Sequence, residues 1–282
     1  MLIFKIIPAL KSHLNKIKND EKQIGFVPTM GALHEGHLSL VRKSIISDDC
    51  TVVSIFLNPT QFNNPRDLKT YPSDIKRDIK LLESLNGNII LFNPNSMDLY
   101  SGNIKTDYFD FNGLDNHMEG KFRGDHFQGV ATVVNRLFKI INSDNVYFGE
   151  KDFQQIRIIE NLISDAKINN KVIRCETIRE DNGLALSSRN KKLDFSSKKI
   201  ASNLFKALNF AKENFGTLGV IDIEKNVVDL LSKFPAIKLD YFVIADEQHL
   251  TPANLKETNK KYRAFIAAYI SGVRLIDNIK LY

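Results

Sequence analysis

Two histidines three residues apart, His34 and His37, are the residues whose types and spacing most directly suggest chemistry in this chain. They follow a short apolar run, residues 24–27, and precede an amphipathic segment, residues 38–46. A strand, a tight turn and a helix start would place both imidazoles on one helix face, at an N-terminus that attracts anions. Gly36 between them has no side chain to keep a ligand away from the backbone. The pattern favours phosphate binding.

A zinc site and ordinary surface or core histidines are the alternatives for this pair. Helical zinc sites place two histidines four residues apart with a glutamate base between them. Here the spacing is three, and no third ligand is near in the sequence. Phosphate is favoured because a reaction at a phosphorus atom builds negative charge on the attacked phosphate and on the departing one. Imidazolium donors at a helix start stabilise such charge.

Two further polar clusters carry groups that suit a nucleotide. In residues 149–152, Lys151 would supply a positive charge to phosphate, and Asp152 would accept hydrogen bonds from ribose hydroxyls. In residues 186–189, two serines and a guanidinium suit a triphosphate. Each cluster has an ordinary alternative, since charged first turns and helix-capping serines are common. The sequence alone leaves both alternatives open.

Neutral amides form a third cluster. A site for a small hydroxy acid needs donors and acceptors that fix hydroxyl groups without adding charge, and Gln61 and Gln155 fit that role. Gln61 belongs to the segment Asn58–Phe62, which follows an apolar run. Residues 66–71 are polar and are expected to form a mobile lid that excludes water from a reactive intermediate.

Short apolar runs alternate with helical patterns through the first part of the chain. Strands are predicted at residues 24–28, 52–57, 89–92, 146–148 and 172–177, after a first strand at the N-terminus; helices are predicted at 38–47, 73–85, 127–141 and 153–166. This alternation predicts an α/β fold, a Rossmann-like parallel sheet with helices on both faces. Ligands of such sheets lie beyond the carboxyl ends of the strands, so the polar clusters are expected to meet in one crevice.

The pattern changes near residue 180, where Asp181, Asn182 and Gly183 form a turn signal. The predicted domains are therefore residues 1–180, for nucleotide binding and catalysis, and residues 181–282, a smaller α+β unit. Its predicted elements are helices at 195–214 and 221–234 and strands at 238–245 and 262–273.

Composition narrows the class of protein. Hydrophobic residues make up 43% and charged residues 26% of the 282 residues, as in globular proteins. No apolar run approaches the roughly 20 residues that span a bilayer, and the N-terminus lacks a signal-peptide pattern. Two cysteines indicate a reduced, cytoplasmic setting. The net charge of +6 is spread along the chain without a basic block, so no nucleic-acid or membrane partner is predicted.

The clusters together resemble one family, pantothenate synthetase, also called pantoate–β-alanine ligase. The resemblance spans nearly the whole chain, and its motifs occur in the family's order and spacing. The matching stretches are residues 27–38 (VPTMGALHEGHL), 58–62 (NPTQF), 148–155 (FGEKDFQQ), 183–190 (GLALSSRN) and 274–278 (RLIDN).

The resemblance implies an enzyme that joins pantoate to β-alanine, consumes ATP with Mg²⁺, and releases AMP and pyrophosphate. It further implies a homodimer. His37, His34, Lys151 and Arg189 would be catalytic, Gln61 would bind pantoate and β-alanine, and Gln155 would bind pantoate. The residues implied to bind ATP are Met30, Gly31, Ala32, Leu33, His34, Glu35, Gly36, His37, Gly149, Glu150, Lys151, Asp152, Ile178, Leu186, Ser187, Ser188 and Arg189.

Four residues depart from the family pattern. Gly124 and Asp125 stand where the family usually has Pro-Gly, Arg66 stands where an acid is common, and Ser73 replaces a common arginine. The last two lie in or near the predicted lid and bear on its closure rather than on the reaction.

Two other functions remain open from sequence. A nucleotidylyltransferase would use the same histidine motif, but a phosphorylated acceptor would call for more Arg and Lys than the neutral Gln61 and Gln155 provide. A basic RNA-binding module has only the pI of about 9.1 in its favour, since the chain lacks a basic stripe interleaved with aromatic residues.

Overall fold

Runs of three to six mostly apolar residues form the strands of a fully parallel sheet. In the computed structural model, which describes residues 1–282, the sheet order is β1-β4-β3-β2-β5-β6. The strands are β1 (Leu2–Phe4), β2 (Ile24–Thr29), β3 (Cys50–Ile55), β4 (Ile89–Phe92), β5 (Asn145–Gly149) and β6 (Lys171–Cys175). Central strands such as β3 are buried along their whole length, because a parallel sheet is covered on both faces.

Eleven α-helices accompany the strands, and none is both long and apolar enough to cross a membrane. They are α1 (Ile7–Asn19), α2 (Glu35–Ser47), α3 (Pro65–Lys69), α4 (Ile75–Glu83), α5 (Ser96–Leu99), α6 (Met118–Arg123), α7 (His126–Ile141), α8 (Phe153–Asp165), α9 (Phe195–Ala201), α10 (Asn203–Asn214) and α11 (Val220–Ser232).

Successive residues of β2 show that helices cover both faces of the sheet. Val27 belongs to a buried cluster with Leu38 of α2 and Leu82 of α4. The ring of its neighbour Phe26 packs edge-on against Phe138 of α7, with centroids 6.4 Å apart. Because adjacent strand residues point to opposite faces, α2 and α4 lie on one side and α7 on the other. The predicted fold class is confirmed.

The strand order places a topological switch point between β2 and β5. From β2 the chain continues through β3 to β4 on one side, whereas β5 and β6 extend the sheet on the other. Parallel strands end at the same edge, so Met30 after β2 and Gly149 at the end of β5 lie at the switch point. Ligands of open α/β sheets bind there.

The chain divides into two units, and the second is assembled from three stretches. The first unit contains residues 1–111, 123–149 and 155–176; the second contains 112–122, 150–154 and 177–282. The short stretches 112–122 and 150–154 fall inside the range predicted for the first domain. Their place in the second unit depends on long-range contacts that local sequence patterns do not show.

An antiparallel sheet and a buried ion pair organise the second unit. Its strands are β7 (Ile237–Asp246), β8 (Tyr262–Ile270) and β9 (Val273–Lys280). Glu119 of α6 receives both terminal nitrogens of Arg274 at 2.8 Å and the hydroxyl of Tyr241 at 2.9 Å. Burial and the Glu119 charge raise the pKa of Tyr241, so this phenol remains a donor. The segment 112–122 is thus tied to β7 and β9.

Two predicted elements of the second unit were wrong. The helix predicted at 195–214 is two helices, because Ser202 Oγ donates to the Lys199 carbonyl and Asn203 Nδ2 to that of Ile200, competing with the helix ladder. The strand predicted at 262–273 is a hairpin. Ser271 and Gly272 both have positive φ, 50° and 77°, as a two-residue hairpin turn requires.

Two helices near the N-terminus and in the lid segment were not predicted from sequence. Helix α1 begins with Pro8 in its first turn, a helix-start signal that follows β1 directly. Within the predicted lid, α3 is capped by Asn64, whose side chain accepts from the Arg66 amide at 2.8 Å. Tyr71 is buried, and its ring lies 5.7 Å from that of Phe62. The lid therefore has an ordered conformation, and its motion remains a prediction.

We expect the two thiols to differ in reactivity. Cys50 is buried in β3, and burial together with the charges of Asp48 and Asp49 raises its pKa to about 11. At pH 8 only about a thousandth of this thiol is ionised, and thiolate is the reactive form. Iodoacetamide at pH 8 should therefore label the half-buried Cys175 at least about tenfold faster, read by peptide mass spectrometry. Equal labelling of the folded protein would contradict this, and urea should abolish the difference.

Candidate active site

The two histidines cap helix α2 with each other's help. His34 is the N-cap, with extended backbone (φ −146°, ψ 175°), and its Nδ1 accepts from the Gly36 amide at 3.1 Å. His37, in the first turn, accepts from the His34 amide through its own Nδ1 at 3.4 Å. The ring centroids are 4.1 Å apart. The pair is a capping box built from imidazoles instead of the usual serine and glutamate.

This cap determines which ring nitrogen carries the proton. A nitrogen that accepts a hydrogen bond is unprotonated, so each neutral ring has its proton on Nε2. From sequence we expected imidazolium donors, whereas the capping bonds hold neutral rings with Nε2–H groups. Both rings remain hydrogen-bond donors at the positive end of the α2 dipole.

The turn before the helix is held by a carboxylate that sequence reasoning missed. Asp78 of α4 accepts from the amides of Ala32 and Leu33, each at 2.8 Å. These two N–H groups are already paired with Asp78 inside the protein, so neither is available to a bound ligand. A signal was present in the sequence: Asp78 interrupts an otherwise apolar helix stripe of Ile75, Ile79 and Leu82.

A buried amide network orients Gln61 in the 3-10 turn Pro59–Gln61 after β3. Its Oε1 accepts from Asn58 Nδ2 at 3.1 Å, and its Nε2 lies 3.1 Å from the sulfur of Met30. Asn58 also receives the Tyr100 hydroxyl at 2.6 Å. Burial raises the pKa of Tyr100, which keeps this hydroxyl protonated as a donor. The structure thus brings Met30 and Gln61 together, although they follow different strands.

Helix α7 packs directly against the turn that carries Gln61. A Cβ on Gly129 would lie 2.3 Å from the Thr60 carbonyl oxygen, so only glycine permits this approach. His126 Nδ1 lies 2.8 Å from the Gln61 carbonyl oxygen. Gly124, just before this helix, has φ of +48°, which proline cannot adopt. The departure from Pro-Gly is therefore a real change of backbone at this entry.

The remaining predicted residues of the first unit are Gly149 and Gln155. No atom lies within 4 Å of where a Cβ on Gly149 would stand, so there is open space beside the end of β5. Gln155 is half-buried in the first turn of α8 and makes no hydrogen bond with Gln61. The structure does not join these two amides directly.

In the second unit, Asn278 of β9 holds the turn that carries Lys151. Its Nδ2 donates to the carbonyl oxygens of Glu150 and Lys151, at 2.9 and 2.8 Å. The Lys151 ammonium lies 3.5 Å from an Asp152 carboxylate oxygen, and its side chain is only 17% exposed. The 3-10 turn Glu150–Asp152 thus has a fixed backbone. Asn278 belongs to the family-like stretch 274–278, so holding this turn is a structural role of that stretch.

The serine-rich loop of the second unit is closed at its base. Leu186 donates its amide to the Ile178 carbonyl at 2.9 Å, and Arg179 forms a two-pronged ion pair with Asp277 at 2.5 and 3.0 Å. Gly183 has φ of +90°, and a Cβ there would lie 2.2 Å from the Phe205 ring. These contacts fix the ends of the loop.

Within this loop, the structure favours a capping role for one serine. Ser187 Oγ accepts from the Arg189 amide at 3.2 Å and begins the 3-10 helix Ser188–Lys192. Ser188 is buried and Arg189 half-buried. Ser187, Lys151 and the buried Asn190 line one small cavity, so two predicted clusters do meet there. The meeting of all four clusters in one crevice remains a prediction.

No group of three or more His, Cys, Asp or Glu side chains is placed to hold a metal ion.

Comparison with known proteins gives consistent results along the whole chain. The family profile described as pantoate-beta-alanine ligase matches residues 2–280. Pantothenate synthetases of Flavobacterium psychrophilum and Christiangramia forsetii are each 47% identical over 281 residues, spanning 100% of this chain and 100% and 99% of theirs.

Two solved structures are similar over their full length. The crystal structure of pantothenate synthetase from Thermus thermophilus has a TM-score of 0.92 at 35% identity and covers 100% of both chains. That of pantoate-beta-alanine ligase from Francisella tularensis, complexed with beta-gamma ATP and beta-alanine, has a TM-score of 0.81 at 40% identity, covering 100% of this chain and 98% of the other.

Proposed function

Because the chain belongs to the pantoate–β-alanine ligase family, whose reaction is the ATP-dependent condensation of pantoate with β-alanine, we propose that it works through a pantoyl adenylate. A carboxylate oxygen of pantoate attacks the α-phosphorus of ATP, and the bond to pyrophosphate breaks. The β-alanine amine then attacks the acyl carbon, AMP leaves with the bonding electrons, and the amine loses one proton. Alignment and charge stabilisation suffice for both steps.

The observation that carries this proposal is the fixed neutral amide of Gln61 beside Met30. After its bonds to Asn58 and Met30, the amide retains one N–H and one oxygen lone pair. Those groups match a hydroxyl or carboxylate of pantoate and the ammonium of β-alanine. A phosphorylated acceptor would need cations at this position, which favours ligation over nucleotidyl transfer. Gln155 supplies a second neutral contact to pantoate.

The nucleotide is assigned to the motif residues. The stretch Met30–His37 lines ATP, and Nε2–H groups of His34 and His37 stabilise charge on the phosphates during attack. Lys151 and Arg189 add positive charge, and Asp152 accepts from ribose hydroxyls. The other proposed contacts are Gly149, Glu150, the backbone of Ile178, and Leu186, Ser187 and Ser188.

Magnesium is proposed to enter with ATP. Mg²⁺ prefers oxygen ligands and is usually held by substrate phosphates with few protein groups, which fits a chain without a preformed carboxylate cluster. When bound, it neutralises phosphate charge.

The homodimer also remains a proposal, and light scattering on a sizing column tests it.

An omission assay tests the reaction itself. The complete mixture of ATP, Mg²⁺, pantoate and β-alanine should yield AMP, pyrophosphate and an amide in equal amounts. Without β-alanine, labelled pyrophosphate should still exchange into ATP, and without pantoate it should not. A product that retains the adenylyl group would instead support a nucleotidylyltransferase.

We expect Gly149→Ala to weaken ATP binding without harming the fold. The space beside Gly149 is open, so an added methyl meets no protein atom. If ATP occupies that space, KM for ATP should rise about tenfold, equivalent to about 1.4 kcal/mol, with Tm unchanged or slightly raised. Gly216→Ala is the matched control, because a methyl there also meets nothing. An unchanged KM in Gly149→Ala would place ATP elsewhere.

A further inference from the structure

The carboxylate of Asp78 is completely buried, 46 residues along the chain from the turn it contacts. It sits on the apolar face of α4, beside Ile75 and Leu82. A buried carboxylate is unfavourable unless hydrogen bonds compensate its lost hydration. Both of its oxygens receive backbone amides at 2.8 Å, so its charge is directed at residues 32–33.

The backbone that Asp78 holds is one that the chain does not adopt readily. Gly31 and Ala32 both lie in the left-handed region, with φ of 83° and 53°. For Ala32, which carries a Cβ, this conformation is unfavourable. Helix α4 makes a further hydrogen bond to the turn, because the Arg77 guanidinium donates to the Leu33 carbonyl at 3.2 Å. One helix thus pairs with two donors and one acceptor of the turn.

The turn connects a fixed strand end to the histidine pair. On the strand side, the Gly31 amide donates to Thr29 Oγ1 at 3.2 Å, and Thr29 Oγ1 donates to the Ser54 carbonyl at 2.8 Å. On the helix side, the next residue is His34, whose ring and backbone form the cap with His37. The path of residues 31–33 therefore sets where α2 begins and where both rings stand.

We propose that Asp78 is a positioning residue for the ligase reaction, acting through the turn on His34 and His37. This rests on the proposed roles of the two histidines. Asp78 uses both oxygens inside the protein and need not touch substrate. Catalysis is sensitive to such placement, because a displacement of about 1 Å can cost about 100-fold in rate.

Asp78→Asn tests the proposal, since the amide keeps the volume but offers one acceptor where two donors converge. We expect kcat to fall about 100-fold while circular dichroism shows a folded protein at the assay temperature. Asp48→Asn is the matched control: Asp48 accepts from Asn145 and Tyr147 at the far end of α2. It should lower Tm and leave kcat within about twofold.

A double-mutant cycle separates positioning from mere stability. If Asp78 acts through the histidines, Asp78→Asn should cost less than about threefold when added to the double variant His34→Ala/His37→Ala. A second loss near 100-fold in that background would overturn the proposal. The proposal would also be overturned if the activity loss of Asp78→Asn matched its unfolded fraction, because loss of stability alone would then explain it.

If Asp78→Asn fails to fold, Arg77→Ala provides a second test, because Arg77 bonds to the same turn. Arg77 is exposed, so its removal spares the core while releasing the Leu33 carbonyl. We expect a five- to tenfold fall in kcat, again absent in the His34→Ala/His37→Ala background. An unchanged kcat overturns the proposal. A wild-type protein without ligase activity would instead refute the proposed function and leave the geometry of the turn intact.

Discussion

Gln61→Glu should reduce kcat/KM for pantoate by about 1,000-fold. The substitution preserves shape and leaves Asn58 Nδ2 a partner, but an unperturbed glutamate is ionised at pH 7. Pantoate carries a carboxylate, and two like charges about 4 Å apart at a protein surface repel by about 4 kcal/mol. The new side chain also loses the N–H that faces Met30. Initial rates against pantoate concentration measure the effect.

Gln23→Glu is the matched charge control. It adds the same charge at an exposed position of the first unit and should leave all constants within about twofold. Because the repulsion requires an ionised glutamate, activity of Gln61→Glu should recover partly as pH falls. Burial raises the pKa of the new carboxyl, so the recovery should begin above the ordinary glutamate value of about 4.3. A variant with wild-type kcat/KM at pH 7 would remove Gln61 from the pantoate site.

His37→Ala and Lys151→Ala should each lower turnover about 100-fold. Each removes one donor aimed at charge that develops during adenylate formation, and such a donor contributes about 3 kcal/mol. His37→Ala also removes the acceptor for the His34 amide, so the start of α2 should fray. Pantoate-dependent exchange of labelled pyrophosphate into ATP reports on this step alone. The loss should appear in kcat more than in KM.

Exposed residues of the same types provide the comparison. His249→Ala and Lys206→Ala remove a ring and an ammonium from the surface and should leave exchange unchanged. Exchange that persists undiminished in both His37→Ala and Lys151→Ala would refute these assignments. A loss in only one would assign the charge stabilisation to that residue's unit.

Local sequence patterns predicted the strands of the sheet and the motif residues, because both depend on near neighbours in the chain. Apolar runs identify strands such as β3, and polar residues just beyond them mark the carboxyl edge. The hairpin turn at Ser271 and Gly272 was also readable, since a serine–glycine pair is a turn signal. The prediction of one continuous strand at 262–273 overlooked this signal, although the sequence contained it.

Other features could not be obtained from local sequence. Asp78 pairs with amides 45 and 46 residues away, and no spacing rule relates them. The imidazole cap replaces a serine–glutamate box that sequence rules would recognise. Residues 112–122 belong to the second unit, where Glu119 pairs with Arg274, 155 residues further along the chain. Each depends on tertiary contacts, which propensity and periodicity do not encode.

The three-stretch construction of the second unit governs the order in which the protein can form on the ribosome. Glu119 is synthesised 155 residues before Arg274, its partner on the last strand. At about 5–20 residues per second, that interval lasts roughly 8 to 30 s. All strands of the parallel sheet are made by residue 175, so the first unit can fold during translation. The second can close only after β9 has been made, and a fragment starting at residue 181 would lack its stretches 112–122 and 150–154.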